Sequence, residues 1–171
     1  MISEHGMASL LRVRLRAAAV VFLSVITVAG AHGSCARAED PVTSKEKPKL
    51  PQVTVTLGPL TILVDVANTD RSRTEGLLGW KDITEDRGML LDFGVEREYA
   101  IHMQGMKFPI DAVWIDSAGE IKMIHHDIRP NSGLIYHSLF PCAYCLEIKA
   151  GVCRKYGIRI GHKVRFDAVA D

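Results

Sequence analysis

From Gln52 onward the apolar positions recur at every second residue. Val53, Val55 and Leu57 alternate with Thr54 and Thr56, and beyond Gly58-Pro59 the alternation resumes at Leu60, Ile62, Val64 and Val66. Successive side chains of a strand point to opposite faces, so this period predicts two half-buried strands, 52–57 and 60–67, around a turn. Ala112 to Asp116 and Glu120 to His126 form a second hairpin pattern around Ser117-Ala118-Gly119. Gly119 stands where a three-residue hairpin loop needs a positive φ. Further strands are predicted over 144–149 and 163–168, short apolar runs lie at 88–93 and 99–103, and 151–157 suits a brief helical turn. The pattern changes period once: Thr69-Asp70 can cap a helix over 70–79, with Leu77 and Leu78 on its buried side and Gly79 as its stop. Many short strands with one principal short helix predict a mainly-β single domain, sandwich-like or barrel-like.

The first forty residues do not join this pattern. Arg12, Arg14 and Arg16 precede an apolar stretch from Ala17 to Ala31, and Ala36-Arg37-Ala38 offers a small-residue cleavage site before Glu39. This is the layout of a secretory signal peptide, 1–38, whose apolar stretch is shorter than the roughly 20 residues of a spanning helix. Residues 39–51, rich in Pro, Lys, Glu, Ser and Thr, read as a flexible linker, which leaves 52–171 as the domain. The expected location is periplasmic or otherwise exported, with no stable membrane insertion once the signal is cleaved. Removing Arg12, Arg14, Arg16, Arg37 and Glu4 changes the formal charge from +1 to −2. Such a domain has no electrostatic footprint for nucleic acid.

Val64-Asp65-Val66-Ala67, Arg73 ahead of Gly76-Leu77, Gly88-Met89-Leu90, Met103 and Pro109-Ile110-Asp111 occur in a fixed order. Trp114-Ile115-Asp116, Gly119, Tyr144-Cys145-Leu146-Glu147, Ala150-Gly151, Gly157-Ile158 and Gly161 complete it. In this the chain resembles family 192 of the domains of unknown function, from about Gln52 to its end. The resemblance implies a compact, mainly-β, sandwich-like domain, often behind an export signal, and implies no reaction. His102 stands where that family usually carries an aromatic residue.

Arg73, Asp111 and Glu147 are charged residues in apolar surroundings, and buried charges are normally paired. They could line a polar binding pocket, together with Met103 and His102, or form a structural cluster in which Arg73 pairs with Asp111 or Glu147. The structural reading is preferred, because ion-pair networks perturb charges without catalysis. A two-carboxylate hydrolase using Asp111 and Glu147 on a polar, carbohydrate-like substrate is one alternative. A periplasmic copper-binding protein using His102, Met103, Met106, Met123, His125 and His126 is another, since thioether and imidazole suit Cu(I). Strand alternation argues against the copper set, because His102 and Met103, or His125 and His126, would face opposite ways. Cys142-Ala143-Tyr144-Cys145 runs into a strand rather than opening a helix, which disfavours redox catalysis. Export makes one structural disulfide plausible among Cys142, Cys145 and Cys153. Nucleophile elbows, phosphate loops and zinc or calcium motifs are missing, so no cofactor is expected. The expectation is a small exported binding or accessory module without redox activity, serving a small-molecule or protein partner. Intact-mass measurement on protein from its native host should give a mature N-terminus at or near Glu39; a full-length mass in a soluble cytosolic fraction would contradict export.

Overall fold

The computed structural model describes residues 49–168, so the expected signal peptide 1–38 and nearly all of the linker 39–51 lie outside the described residues. Strands β1 (Gln52–Leu57) and β2 (Leu60–Ala67) form the expected antiparallel hairpin, with Gln52 opposite Asp65 and Leu57 opposite Leu60. The next strand, β3 (Arg87–Arg97), lies parallel to β2. Parallel neighbours cannot be joined by a tight turn, so the chain crosses over through α1 (Asp70–Glu75) and the segment 76–86.

β3 pairs with β8 (Cys142–Lys149), β8 with β5 (Ile110–Ile115), and β5 with β6 (Ile121–Ile128). At the other end β9 (Val164–Ala168) pairs with β1, giving the order β6-β5-β8-β3-β2-β1-β9. β4 (Ala100–His102) and β7 (Ile135–His137) make a separate two-stranded ribbon, and α2 (Val152–Lys155) follows β8.

Edge strands β6 and β9 meet where they begin. Ile121 N–H donates to the His162 carbonyl at 2.9 Å, Gly161 N–H to the Ile121 carbonyl at 2.8 Å and Val164 N–H to the Gly119 carbonyl at 2.8 Å. The sheet is thus a curled half-barrel, in line with the expected mainly-β class. One core cluster contains Ile121 and Val164 from both edges, with Val55, Leu57, Ile62, Val113, Leu146 and Ile148 and with Val152 and Cys153 of α2. Only the inside of a curl can bring residues of both edges together, so this is the inner core. Met89, Leu91, Ala112, Trp114 and Cys145 face the other way, under Leu77, Ile83, Met103, Met106 and Phe108 from the connecting segments.

Two expectations need correction. The helix ends at Glu75, not near Gly79, because Gly76 turns to φ +43° as its C-cap and donates its N–H to the Ser72 carbonyl. Leu77 is buried as expected but lies beyond the helix, and Leu78 is exposed. The start agrees with the sequence: Thr69 accepts from Ser72 N–H while Ser72 Oγ accepts from Thr69 N–H, a reciprocal cap. Ribbon strand β7 has no signal in the sequence, since three residues are too few for a period to show.

Gly119 combines the predicted left-handed φ, +77°, with a close approach. A Cβ there would lie 2.8 Å from the Val164 carbonyl oxygen, on the seam that joins the two edges. Gly119→Val should therefore destabilise the domain by about 2 kcal/mol or more, from left-handed strain plus the disrupted seam. Urea denaturation of the mature chain checks this, and an unchanged midpoint would show that the seam does not hold the curl.

Candidate binding site

Glu147 occupies the middle of β8, opposite Met89 of β3 on one side and Ala112 of β5 on the other. Directly opposite residues share a face, so its side chain points to the outer side of the sheet. There it meets a cavity of about 230 Å³. The walls come from three excursions of the chain: α1 with its exit turn, the end of β3, and the segment 100–106. Gly76 leaves Glu147 room, since a Cβ at that glycine would stand 3.9 Å from Glu147 Oε2.

The Glu147 residue is 7% exposed. Among the described residues its carboxyl has no hydrogen-bond or ion-pair partner, and it opens onto the cavity. Burial alone pushes its pKa from the ordinary 4.5 up to about 7. Arg73 lines the same cavity but is engaged elsewhere. Its guanidinium pairs with Asp70 one turn back on α1, donates to the Asp92 carbonyl at 2.6 Å, and lies 5.9 Å from the Phe93 ring centre. Met103 and Met106 are buried in the wall, and His102 stands exposed at the mouth, where its Nδ1 accepts the Gln104 N–H at 3.3 Å.

Four of the residues singled out in the sequence, Arg73, His102, Met103 and Glu147, therefore line one cavity. Asp111 does not. It sits opposite Ile148, one position out of phase with Glu147, and points into the inner core. Asp111 Oδ1 accepts the Asp127 N–H at 2.8 Å and Oδ2 accepts the Cys153 N–H at 2.9 Å. Cys153 is in the first turn of α2, whose N-cap Gly151 has no side chain to offer, so Asp111 caps that helix from a distance. Two readings of the sequence fail here, one because Arg73 is engaged by Asp70 and the Asp92 carbonyl, the other because of the phase of Asp111. Arg73 pairs with neither Asp111 nor Glu147, and the two carboxylates of the hydrolase alternative lie on opposite faces of the sheet rather than across one substrate.

All three described cysteines are buried free thiols, so the expected disulfide is not formed. Cys142 and Cys145 belong to the outer core and Cys153 to the inner one, with the sheet between them. Burial pushes the Cys142 thiol up to about 11 and also raises those of Cys145 and Cys153. Asp111, His126 and Cys153 bring ligand-type atoms within 4.8 Å of one another. Both Asp111 oxygens already accept backbone donors there, and burial disfavours the Cys153 thiolate that a metal would require.

Leu77, Leu91, Phe93 and Ile101 also line the cavity, and sequence reasoning did not assign them to it. Their only signal is apolarity, which core residues share.

Residues 53–166 match the family described as "Uncharacterized ACR", domain of unknown function 192. No curated protein matches the chain. Among solved structures, a "putative transcription regulator" from Sinorhizobium meliloti 1021 is similar with TM-score 0.69 and 29% identity, over 71% of this chain and 98% of that one. A protein of unknown function from Novosphingobium aromaticivorans DSM 12444 is similar in fold, with TM-score 0.61 and 22% identity over 67% of this chain and 83% of that one.

A buried acid with a raised pKa contributes stability below its unfolded pKa and loses it as pH rises through the folded one. For Glu147 the window runs from 4.5 to about 7. Across it the ionised carboxyl should cost the folded state about 3 kcal/mol. Glu147→Gln should remove that slope, so urea melts at pH 4.5 and pH 8 should show the variant gaining about 3 kcal/mol on the wild type. Parallel pH profiles would place the carboxyl in water instead.

Proposed function

The chain belongs to the uncharacterized ACR family, domain of unknown function 192, and we propose that it is an exported binding module whose small-molecule ligand occupies the cavity over Glu147. One observation carries this reading. The carboxyl of Glu147, a residue only 7% exposed and with no partner among the described residues, faces a cavity that the fold has left unfilled. A buried polar group without a partner is costly, and packing normally removes both the group and the space. A ligand that donates to Glu147 and covers the apolar wall supplies what is missing.

The basic residues, apolar stretch and small-residue site of 1–38 support export. The buried, protonated thiols favour a role without redox chemistry. The acidic mature domain speaks against nucleic acid as its partner. The description "transcription regulator" stays with the Sinorhizobium protein.

One finding favours copper as a second reading. β4 ends at His102, so strand alternation no longer separates His102 from Met103, and both line the cavity with Met106. The thioethers and imidazole are Cu(I) ligand types.

Protein purified from its own cell envelope distinguishes these readings by native mass spectrometry with elemental analysis. A small organic ligand should co-purify. It should be lost in Leu78→Trp, which fills the cavity mouth from a position already partly exposed, with the melting temperature unchanged. Stoichiometric copper would replace this reading with the metal one. Unliganded protein whose Met103 and Met106 methyl resonances move with no member of a fragment panel would overturn both.

A further inference from the structure

The charge balance of the cavity narrows the class of ligand, given that the cavity is the binding site. A carboxyl in an apolar setting is held ionised by a cation or by several donors, and Glu147 has neither among the described residues. Arg73, the guanidinium on the wall, is spent on Asp70 and the Asp92 carbonyl. It does not contribute to the shift at Glu147, for which burial is the whole cause. Glu75, the other carboxylate on the lining, pairs with Arg71, and the remaining wall sets apolar Leu77, Leu91, Met103 and Met106 beside polar Thr74, His102 and Gln104. The site thus lacks one positive charge beside Glu147 and offers apolar surface around it.

We infer that the ligand is an organic ammonium ion, its nitrogen donating to the Glu147 carboxylate and its apolar body lying against Met103 and Met106. The size is suitable: the cavity holds about 230 Å³, and about 150 Å³ of apolar space accommodates a benzene ring. An ammonium group beside one ring, or a branched chain of similar bulk, fits this space. A neutral alcohol would leave the ionised carboxyl without a counter-charge. A carboxylate ligand would add a second negative charge next to it.

Benzylammonium, benzyl alcohol and benzoate test this on the mature chain by calorimetry, with Met103 and Met106 methyl shifts reporting occupancy. At pH 8 the ammonium should bind at least about tenfold tighter than the alcohol, and benzoate should not bind, as a charge-assisted hydrogen bond to Glu147 requires. With the Glu147 pKa at about 7, ammonium affinity should fall roughly thirtyfold between pH 8 and pH 5.5, because the ligand keeps its charge while Glu147 loses its own. Glu147→Gln should abolish both the preference and the pH dependence. Equal, pH-independent binding of alcohol and ammonium, with the methyls shifted, would overturn the ammonium class and leave the binding site standing. Ammonium binding that survives Glu147→Gln would also overturn it. Methyls unmoved by all three probes would count against both the class and the site.

Discussion

The backbone hydrogen bonds that tie Gly119 and Ile121 to Gly161, His162 and Val164 decide the form of the β sheet. Open, β6 and β9 would each present unpaired donors and acceptors, and the sheet between them could twist without closing. Joined, they force the sheet to curl, and the curl gives its two faces different fates. The inner face closes on itself around Val152 and Cys153 of α2. Among the described residues the outer face has no second large sheet to pack on, so connecting segments and a two-stranded ribbon cover it. α1, the segment 76–86, the stretch 100–108 and the β4–β7 ribbon serve that purpose. Irregular segments fill space less evenly than a sheet, and the cavity over Glu147 lies where three of them meet.

β8 passes through the middle of this arrangement with partners on both sides, and its alternation sorts chemistry from packing. Leu146 and Ile148 enter the inner core, while Cys145 and Glu147 face outward. The contrast with Asp111 is instructive. Two carboxylates on neighbouring strands, both buried, are one position out of phase. Asp111 meets two backbone donors, one at the start of α2 and one at the irregular end of β6, and both of its oxygens are engaged. Glu147 meets no donor among the described residues and faces the cavity, and burial drives it toward the neutral form. The two acids differ in the donors within reach, not in burial.

Similarity to solved structures supports the half-barrel but says little about its use, because folds of this kind host unrelated activities. The weight falls on the local chemistry of the cavity: a desolvated carboxyl, an arginine already engaged, and two methionines whose flexible side chains can adapt to a bound body.

The sequence by itself determined the elements whose physics is local. Alternation at Val53 to Val66 and around Ser117-Ala118-Gly119 specified two hairpins, and Thr69 specified the start of α1, because side-chain period, turn φ and capping depend on a few consecutive residues. It also drew attention to Arg73, His102, Met103 and Glu147, as polar or polarizable residues in apolar surroundings. It could not show that these four share a cavity while Asp111 does not, since that depends on which strands pair and in what phase. β8 lies between β3 and β5, at positions set by contacts far apart in the chain, and a shift of one residue would exchange the faces of Glu147 and Ile148. Only the tertiary structure could decide that one acid caps a helix and the other faces a cavity, because each fate rests on donors that the rest of the fold brings near or keeps away.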